Sequence, residues 1–120
     1  MKFCWVTINV SNMEDSLEFY KEIVGLTLIK KFKASDGIEI AFLGDGETQL
    51  ELIYDSSSKK VNSGQSVSMG FEVKSLDGMA DFVKSKGIDI HSGPFQPNPH
   101  IKFFYVKDPD GLNIQFVENM

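Results

Sequence analysis

Glu51 is the side chain of this sequence best suited to acid–base chemistry, and it lies in a stretch that alternates like a β-strand. Its neighbours Leu50 and Leu52 are apolar, and the earlier stretch around Trp5 and Thr7 alternates in the same way. Since successive side chains of a strand point to opposite faces, each of these polar or aromatic residues is expected on the face away from the apolar ones. A carboxylate there can accept a proton or pair with a cation, and an indole can stack on a planar ligand.

The second half of the chain places neutral polar groups in comparable positions. Ser68 lies in one alternating stretch, and Asn113 and Gln115 lie in another. Such a mixture of amides, hydroxyls and one tryptophan is typical of a pocket lining, because a solvated strand face is usually rich in lysine and glutamate. The residues predicted on these mixed faces are Trp5, Thr7 and Asn9; Gln49, Glu51 and Ile53; Ser66, Ser68, Gly70 and Glu72; and Asn113, Gln115 and Val117.

The elements that must position these residues follow from periodicity and turn signals. In the first half, a strand is predicted over Phe3 to Val10, followed by a helix that Asn12 caps and Gly25 ends. Three strands separated by glycine-containing turns complete it: Leu26 to Phe32, Ile38 to Leu43 and Gln49 to Tyr54. The first half is therefore predicted to be β-α-β-β-β.

The same order returns after a polar stretch, residues 55–65, which is predicted to be a linker. Ser75 is expected to cap a helix over Leu76 to Lys86. The strands predicted around this helix are Ser66 to Lys74, Ile88 to His91, Ile101 to Lys107 and Leu112 to Glu118. The proline-rich stretch from Gly93 to Pro99 is predicted to be a loop or an edge strand.

The two halves can be superposed along the sequence. A shift of 63 places Val10 on Val73 and Phe19 on Phe82, and a shift of 64 places Glu51 on Gln115. The predicted fold is therefore α+β, a single domain 1–120 with two tandem βαβββ modules, 1–54 and 66–120, that form a curved mixed sheet around a groove.

This doubled pattern, with VSNMEDSLEFYKEIVGL opening it and DPDGLNIQFVE closing it, resembles the vicinal oxygen chelate superfamily, which includes glyoxalase I, extradiol dioxygenases and bleomycin-resistance proteins. The resemblance implies a divalent metal held at four positions, which here are Trp5, Glu51, Ser68 and Gln115. Among these, only Glu51 is a ligand of the family type, whereas tryptophan cannot coordinate a metal and serine and glutamine are weak neutral donors. We therefore expect no metal and no other cofactor.

Alternatives remain open for the main candidate residues. Glu51 is either a carboxylate bonded to neighbouring hydroxyls or to Gln115, or a general base or partner of a cationic ligand. Trp5 is either a core aromatic or a flat wall for a ligand. Phe95, Phe104 and Tyr105 are further candidates for that wall.

The two histidines, His91 and His100, match no ligand position of the family, and both are expected to be ordinary surface or loop residues, although His100 could reach over a groove.

Composition excludes several functional classes. The net charge is −5, and the twelve basic residues, all lysines, are scattered, which argues against nucleic acid binding. No apolar run is long enough to span a bilayer, and the N-terminus reads as a strand, so a cytoplasmic protein without membrane contact is expected. Cys4 is the one cysteine and is expected to be a buried, inert thiol.

Two main functional hypotheses and a third possibility follow. The first is a bleomycin-resistance-like protein that binds a small aromatic or amphipathic molecule, with a cationic one favoured by the acidic charge, in a metal-free groove. Its ligand-binding residues would be Trp5, Thr7, Glu51, Ser68, Asn113 and Gln115. The second is a lactoylglutathione-lyase-like lyase or isomerase that uses Glu51 as a catalytic residue with a non-standard divalent metal site. The third is a regulatory module with a vestigial pocket. The resemblance also implies a homodimer.

Overall fold

The computed structural model describes residues 1–58, 61 and 66–120. The elements in chain order are β1 (Trp5–Val10), α1 (Met13–Glu18) with a π-helical continuation (Phe19–Ile23), β2 (Leu28–Ser35), β3 (Ile38–Leu43), β4 (Gln49–Asp55), β5 (Ser68–Glu72), α2 (Leu76–Ser85), β6 (Ser92–Asn98), β7 (Ile101–Lys107) and β8 (Asn113–Asn119). The predicted α+β class and the doubled βαβββ order are confirmed.

The chain divides into two compact units, Met1–Ser63 and Gly64–Met120, and each contains one four-stranded sheet. The strand order is β1-β4-β3-β2 in the first unit and β5-β8-β7-β6 in the second. In both units the first strand pairs with the last strand in parallel and the remaining neighbours are antiparallel. The sequence repeat is therefore a repeat of topology and of strand direction.

Side-chain caps start both helices where the sequence predicts. The Asn12 side chain accepts a hydrogen bond from the Asp15 N–H at 2.9 Å, and Ser75 Oγ accepts one from the Gly78 N–H at 3.0 Å. These oxygens satisfy amide groups that have no partner within the helix. The helix of the first unit ends before Gly25 as predicted, but only its first part, up to Glu18, is α-helical, and Phe19–Ile23 continue it as a π-helix.

The core of each unit lies on the apolar faces of its strands. In the first unit Leu50 and Leu52 are buried on β4, and in the second Ile114 and Phe116 are buried on β8. These residues alternate with the predicted mixed faces, so the period of two correctly assigned the faces of both strands.

The final hairpin is closed by a turn with a buried carboxylate. Asp108 Oδ1 accepts hydrogen bonds from the N–H groups of Asp110 and Leu112, each at 2.9 Å. Gly111 follows with a φ of 85°, a conformation that favours glycine. The turn sets the register in which Lys107 pairs with Asn113.

One predicted strand of the second half is wrong in position, whereas the edge-strand alternative for the proline-rich stretch is confirmed. The residues from Ile88 to His91 form no strand; the edge strand β6 instead occupies Ser92–Asn98, most of the proline-rich stretch. An edge strand tolerates Pro94 and Pro97 because one side of it needs no N–H donors. β6 pairs with β7 only, through shifts of register.

The predicted linker begins later than expected, because β4 includes Asp55 and residues 56–58 form a turn. Of the rest of that stretch, residues 59–60 and 62–65 lie outside the described residues. Cys4 is exposed, because it precedes β1 instead of lying within it, so the prediction of a buried thiol is wrong. No helix in the described part of the chain is long and apolar enough to cross a bilayer.

Candidate functional site

The mixed face of the first unit carries an aromatic pair at its β1 side. Trp5 stands edge-to-face on Phe42, with ring centroids 5.5 Å apart and an interplanar angle of 77°. Phe42 is buried, whereas Trp5 remains 49% exposed. The alternative that Trp5 is a core aromatic is therefore wrong. Its ring packs on Phe42, and the rest of the ring surface is accessible to a ligand.

Glu51 lies beside this pair in the middle of the sheet. It is aligned with Thr7 on β1 and with Phe42 on β3, and all three therefore share one face. The Thr7 hydroxyl donates a hydrogen bond of 2.5 Å to Glu51 Oε1. Of the alternatives left open for Glu51, the bond to a neighbouring hydroxyl is thus present.

A row of cross-strand partners runs across this face from Thr7 through Glu51 and Phe42 to Lys30 on β2. Lys30 on β2 pairs with Phe42, and its ammonium lies 4.9 Å from the Phe42 ring centroid and 5.8 Å from that of Phe32. The electron-rich ring faces attract the positive charge. The row therefore has a cation at its β2 end and a carboxylate in its centre, with the open indole next to the carboxylate.

On the mixed face of the second unit, the strands are aligned in the same way, but the aligned side chains are different. Ser68 pairs with Asn113, and Gly70 pairs with Gln115, which in turn pairs with Tyr105 on β7. Gln115 Nε2 donates to the Tyr105 hydroxyl at 3.3 Å. Gly70 brings no side chain to this row, and a Cβ added there would lie 3.0 Å from Gln115 Oε1.

A cleft of about 310 Å³ opens on the second unit next to this row. It is lined by Ser66, Val67, Ser68, His91, Ser92, Tyr105 and Asn113. Sequence reasoning did not include His91 here, because this histidine matches no ligand position of the family and was expected to be an ordinary surface or loop residue. Its backbone N–H bonds to the Tyr105 carbonyl oxygen at 2.8 Å, which holds it at the cleft.

The predicted residues thus form two groups, one in each unit. Trp5, Thr7 and Glu51 are adjacent in the first, and Ser68, Asn113 and Gln115 are adjacent in the second.

The other aromatic candidates and the second histidine are distributed differently. Phe104 is 0% exposed and packs on Phe116 in the core, so its assignment to a ligand wall is wrong; alternation along β7 places Tyr105 on the opposite, mixed face. Phe95 is exposed on β6 and contacts Phe103. His100 is exposed in the turn before β7, as expected of a loop residue.

The four positions at which the family resemblance places metal ligands do not offer a suitable donor set. Trp5 has no donor atom for a metal, and Ser68 offers a neutral hydroxyl. Gln115 offers one amide oxygen, and Glu51 is the sole carboxylate, already bonded through one oxygen to Thr7. Divalent transition metals need three or four good donors. Within residues 1–58, 61 and 66–120, no group of three or more His, Cys, Asp or Glu side chains could hold a metal ion.

Comparison with known proteins agrees with this architecture. Residues 2–116 match the family model described as Glyoxalase/Bleomycin resistance protein/Dioxygenase superfamily. A lactoylglutathione lyase of Neisseria meningitidis serogroup B is 28% identical over 126 residues, covering 98% of this chain and 91% of that protein. The uncharacterized protein YwbC of Bacillus subtilis is 32% identical over 118 residues, covering 92% of each chain.

Solved structures show the same fold. A glyoxalase family protein from Bacillus cereus has a TM-score of 0.84 at 18% identity, covering 100% of this chain and 95% of the other. The trypanothione-dependent glyoxalase I of Leishmania major has a TM-score of 0.79 at 21% identity, covering 98% and 86%. With the family model matched over nearly its whole length, this chain belongs to the glyoxalase, bleomycin-resistance protein and dioxygenase superfamily.

Proposed function

We propose that this protein binds a small aromatic or amphipathic molecule, with a preference for a cation, without the help of a metal. The observation that carries the proposal is the half-exposed Trp5 ring, braced by Phe42 and adjacent to the Glu51 carboxylate. A planar ligand stacked on the indole would place a positive charge near Glu51. Ser68, Asn113 and Gln115 are proposed as polar contacts of a ligand that binds to the second unit.

The charge preference rests on the position of Glu51. Its carboxylate accepts a hydrogen bond from a neutral hydroxyl, that of Thr7, so its negative charge is not compensated within this pair. Lys30 lies over the Phe42 ring at the opposite end of the row, and we therefore expect a cationic ligand to approach from the Trp5 side. The net charge of −5 acts in the same direction.

The test uses three two-ring probes of similar shape: N-methylquinolinium, 1-methylnaphthalene and 1-naphthoate. Trp5 is the one tryptophan of the chain, so its fluorescence reports contact with a probe directly. The cation should bind more tightly than the neutral and anionic probes. Equal or tighter binding of 1-naphthoate would overturn the charge preference, and failure of all three to change the Trp5 emission would overturn the proposal.

The Glu51→Gln substitution separates charge from stacking. An exposed ion pair is worth about 0.5–1 kcal/mol, so N-methylquinolinium should bind about two- to fivefold more weakly, while 1-methylnaphthalene binding should not change. Glu18→Gln, at the end of α1, is the matched control for the change in net charge. An equal loss in both variants would refute a local role of Glu51.

A glyoxalase-like lyase or isomerase that uses Glu51 with a divalent metal at a non-standard site is the second candidate. The 28% identity to a lactoylglutathione lyase over nearly the full chain favours it. Elemental analysis of the purified protein decides between the two. Stoichiometric nickel, zinc, manganese or iron, together with lyase activity that Glu51→Gln abolishes, would replace the first proposal.

We also propose that the protein is a cytoplasmic homodimer. Support comes from the family resemblance and from large apolar side chains that are exposed in the isolated chain, among them Phe3 and Val67. Light scattering at micromolar concentration should give twice the mass of 13.5 kDa. A monomer mass would contradict the proposal.

A further inference from the structure

We infer that the cleft on the second unit is a binding site for an uncharged, hydroxyl-bearing molecule of about ten non-hydrogen atoms, a ligand of the monosaccharide or cyclic polyol class. Its lining is Ser66, Val67, Ser68, His91, Ser92, Tyr105 and Asn113. This ligand class differs from the planar cation proposed for the face around Trp5, and the inference does not depend on that proposal.

The size of the ligand follows from the volume. The cleft measures about 310 Å³, which is the space that about ten water molecules occupy in the liquid. It lies at the lower end of the range found for small-molecule sites. A six-membered ring with its hydroxyl groups would fill it.

The absence of charge on the ligand follows from the lining. Among the described residues that line the cleft there is no Asp, Glu, Lys or Arg, so an ionic group would lose hydration there without gaining a counter-ion from them. Three serine hydroxyls, a phenol, an imidazole and an amide are present instead. Groups that both donate and accept are matched by the hydroxyl groups of a polyol.

Two side chains define where hydrogen bonds are needed. Asn113 Oδ1 is shielded from solvent and has no hydrogen-bond partner among the described residues, so it requires a donor. The Tyr105 hydroxyl accepts a bond from Gln115 Nε2, which leaves its own proton for an acceptor. A ligand hydroxyl can accept from the Tyr105 hydroxyl, and it can donate to Asn113 Oδ1 once the amide rotates and brings this shielded oxygen to the cleft.

Several residues that line the cleft lie on paired β-strands, which hold their backbones in place. Ser68 and Asn113 are aligned on neighbouring strands, and Tyr105 is aligned with Ser92 across the β6–β7 pair. The Tyr105 ring packs edge-to-face on Phe103 at 5.8 Å, which restricts its rotation. Polar groups on paired strands need little ordering when a ligand binds.

Nuclear magnetic resonance titration of the full chain with D-glucose, myo-inositol, gluconate and glucosamine tests the inference. We expect D-glucose or myo-inositol to shift the amide signals of Ser68, Ser92, Tyr105 and Asn113 with a Kd of about 1 mM. The gluconate anion and the glucosamine cation should bind more weakly. The inference is overturned if neither neutral probe shifts these signals, or if a charged probe binds as tightly.

Tyr105→Phe is the sharper variant, because it removes one oxygen and keeps the ring that packs on Phe103. Binding of the neutral probe should weaken about threefold or more. Tyr54→Phe, the same change in the first unit, should have no effect. Asn113→Ala should also weaken binding, with Asn9→Ala on β1 as its control. Unchanged binding in Tyr105→Phe would refute the assignment.

One more variant keeps this inference separate from the proposed function. In Trp5→Ala, the amide shifts caused by N-methylquinolinium should be lost, whereas those caused by myo-inositol should persist, because no described residue of the first unit lines the cleft. Loss of both in Trp5→Ala would overturn the assignment of an independent polar site.

Discussion

Asp108 is predicted to be the polar residue whose loss most destabilises the second unit. It is 5% exposed, and one of its carboxylate oxygens accepts hydrogen bonds from the N–H groups of Asp110 and Leu112. Alanine at this position would leave both buried N–H groups without that acceptor. Each such loss costs about 1–3 kcal/mol, so Asp108→Ala should lower the free energy of unfolding by about 2–6 kcal/mol. That is a large part of the 5–15 kcal/mol typical of a folded domain.

Urea denaturation followed by circular dichroism measures this effect. With a slope of about 2 kcal/mol per molar urea, the midpoint should fall by about 1–3 M. Asp108→Asn keeps an oxygen acceptor and should lose less than half as much. Asp45→Ala removes an exposed carboxylate from the turn before β4 and should change the free energy of unfolding by less than about 0.5 kcal/mol. If Asp108→Ala is no more destabilising than Asp45→Ala, the turn is not held by this carboxylate.

Two further predictions concern the pKa of one carboxyl and the conformation of one glycine. The Ser57 hydroxyl and N–H both donate to Asp55 and hold its pKa below the ordinary value, so any stability that Asp55 contributes is present above the ordinary pKa and is lost as the pH falls through the lowered one. Ser57→Ala should raise this pKa toward the ordinary value, measured by ¹³C titration, and an unchanged pKa would refute the role of the hydroxyl. Gly93 has a φ of 98°, and a Cβ there would lie 3.1 Å from the Phe103 carbonyl oxygen, so Gly93→Ala should lower the free energy of unfolding by about 2 kcal/mol or more. Gly46→Ala, where nothing lies within 4 Å of the added Cβ, is its control in the same urea experiment, and equal stability of the two variants would contradict the strain argument.

The regular strands and both helix starts could be predicted because local patterns alone determine them. β3 and β7 have the bounds that alternation predicts, and Asn12 and Ser75 cap the helices as their residue types indicate. β6 could not be predicted in the same way. Its residues have no clear alternation, and what makes them a strand is the neighbouring β7, a contact that is distant in the sequence.

The candidate site, like the fold, could be predicted only in part. The period of two identified the residues that share a face, but not which of them touch each other or remain accessible. The exposed Cys4 and the position of His91 on the cleft depend on where a strand starts, and this is the least certain feature of a sequence pattern. The buried Phe104 was separable from Tyr105 by its phase along β7, a signal that was available in the sequence.

The two units show how one backbone pattern can carry two different chemistries. Glu51 and Gln115 occupy equivalent places in their sheets, each aligned with a residue on the first strand and with an aromatic residue on the third. In the first unit the first-strand residue is Thr7, whose hydroxyl binds the carboxylate, and the aromatic partner is a phenylalanine that cannot. In the second unit the first-strand residue is Gly70, which has no side chain, and the amide turns instead to the hydroxyl of Tyr105. The hydroxyl that bonds the central residue therefore lies on the first strand in one unit and on the third strand in the other. The central residue is charged in the first unit, as Glu51, and neutral in the second, as Gln115. This exchange is the physical reason to expect a cation near the first face and a neutral ligand at the second.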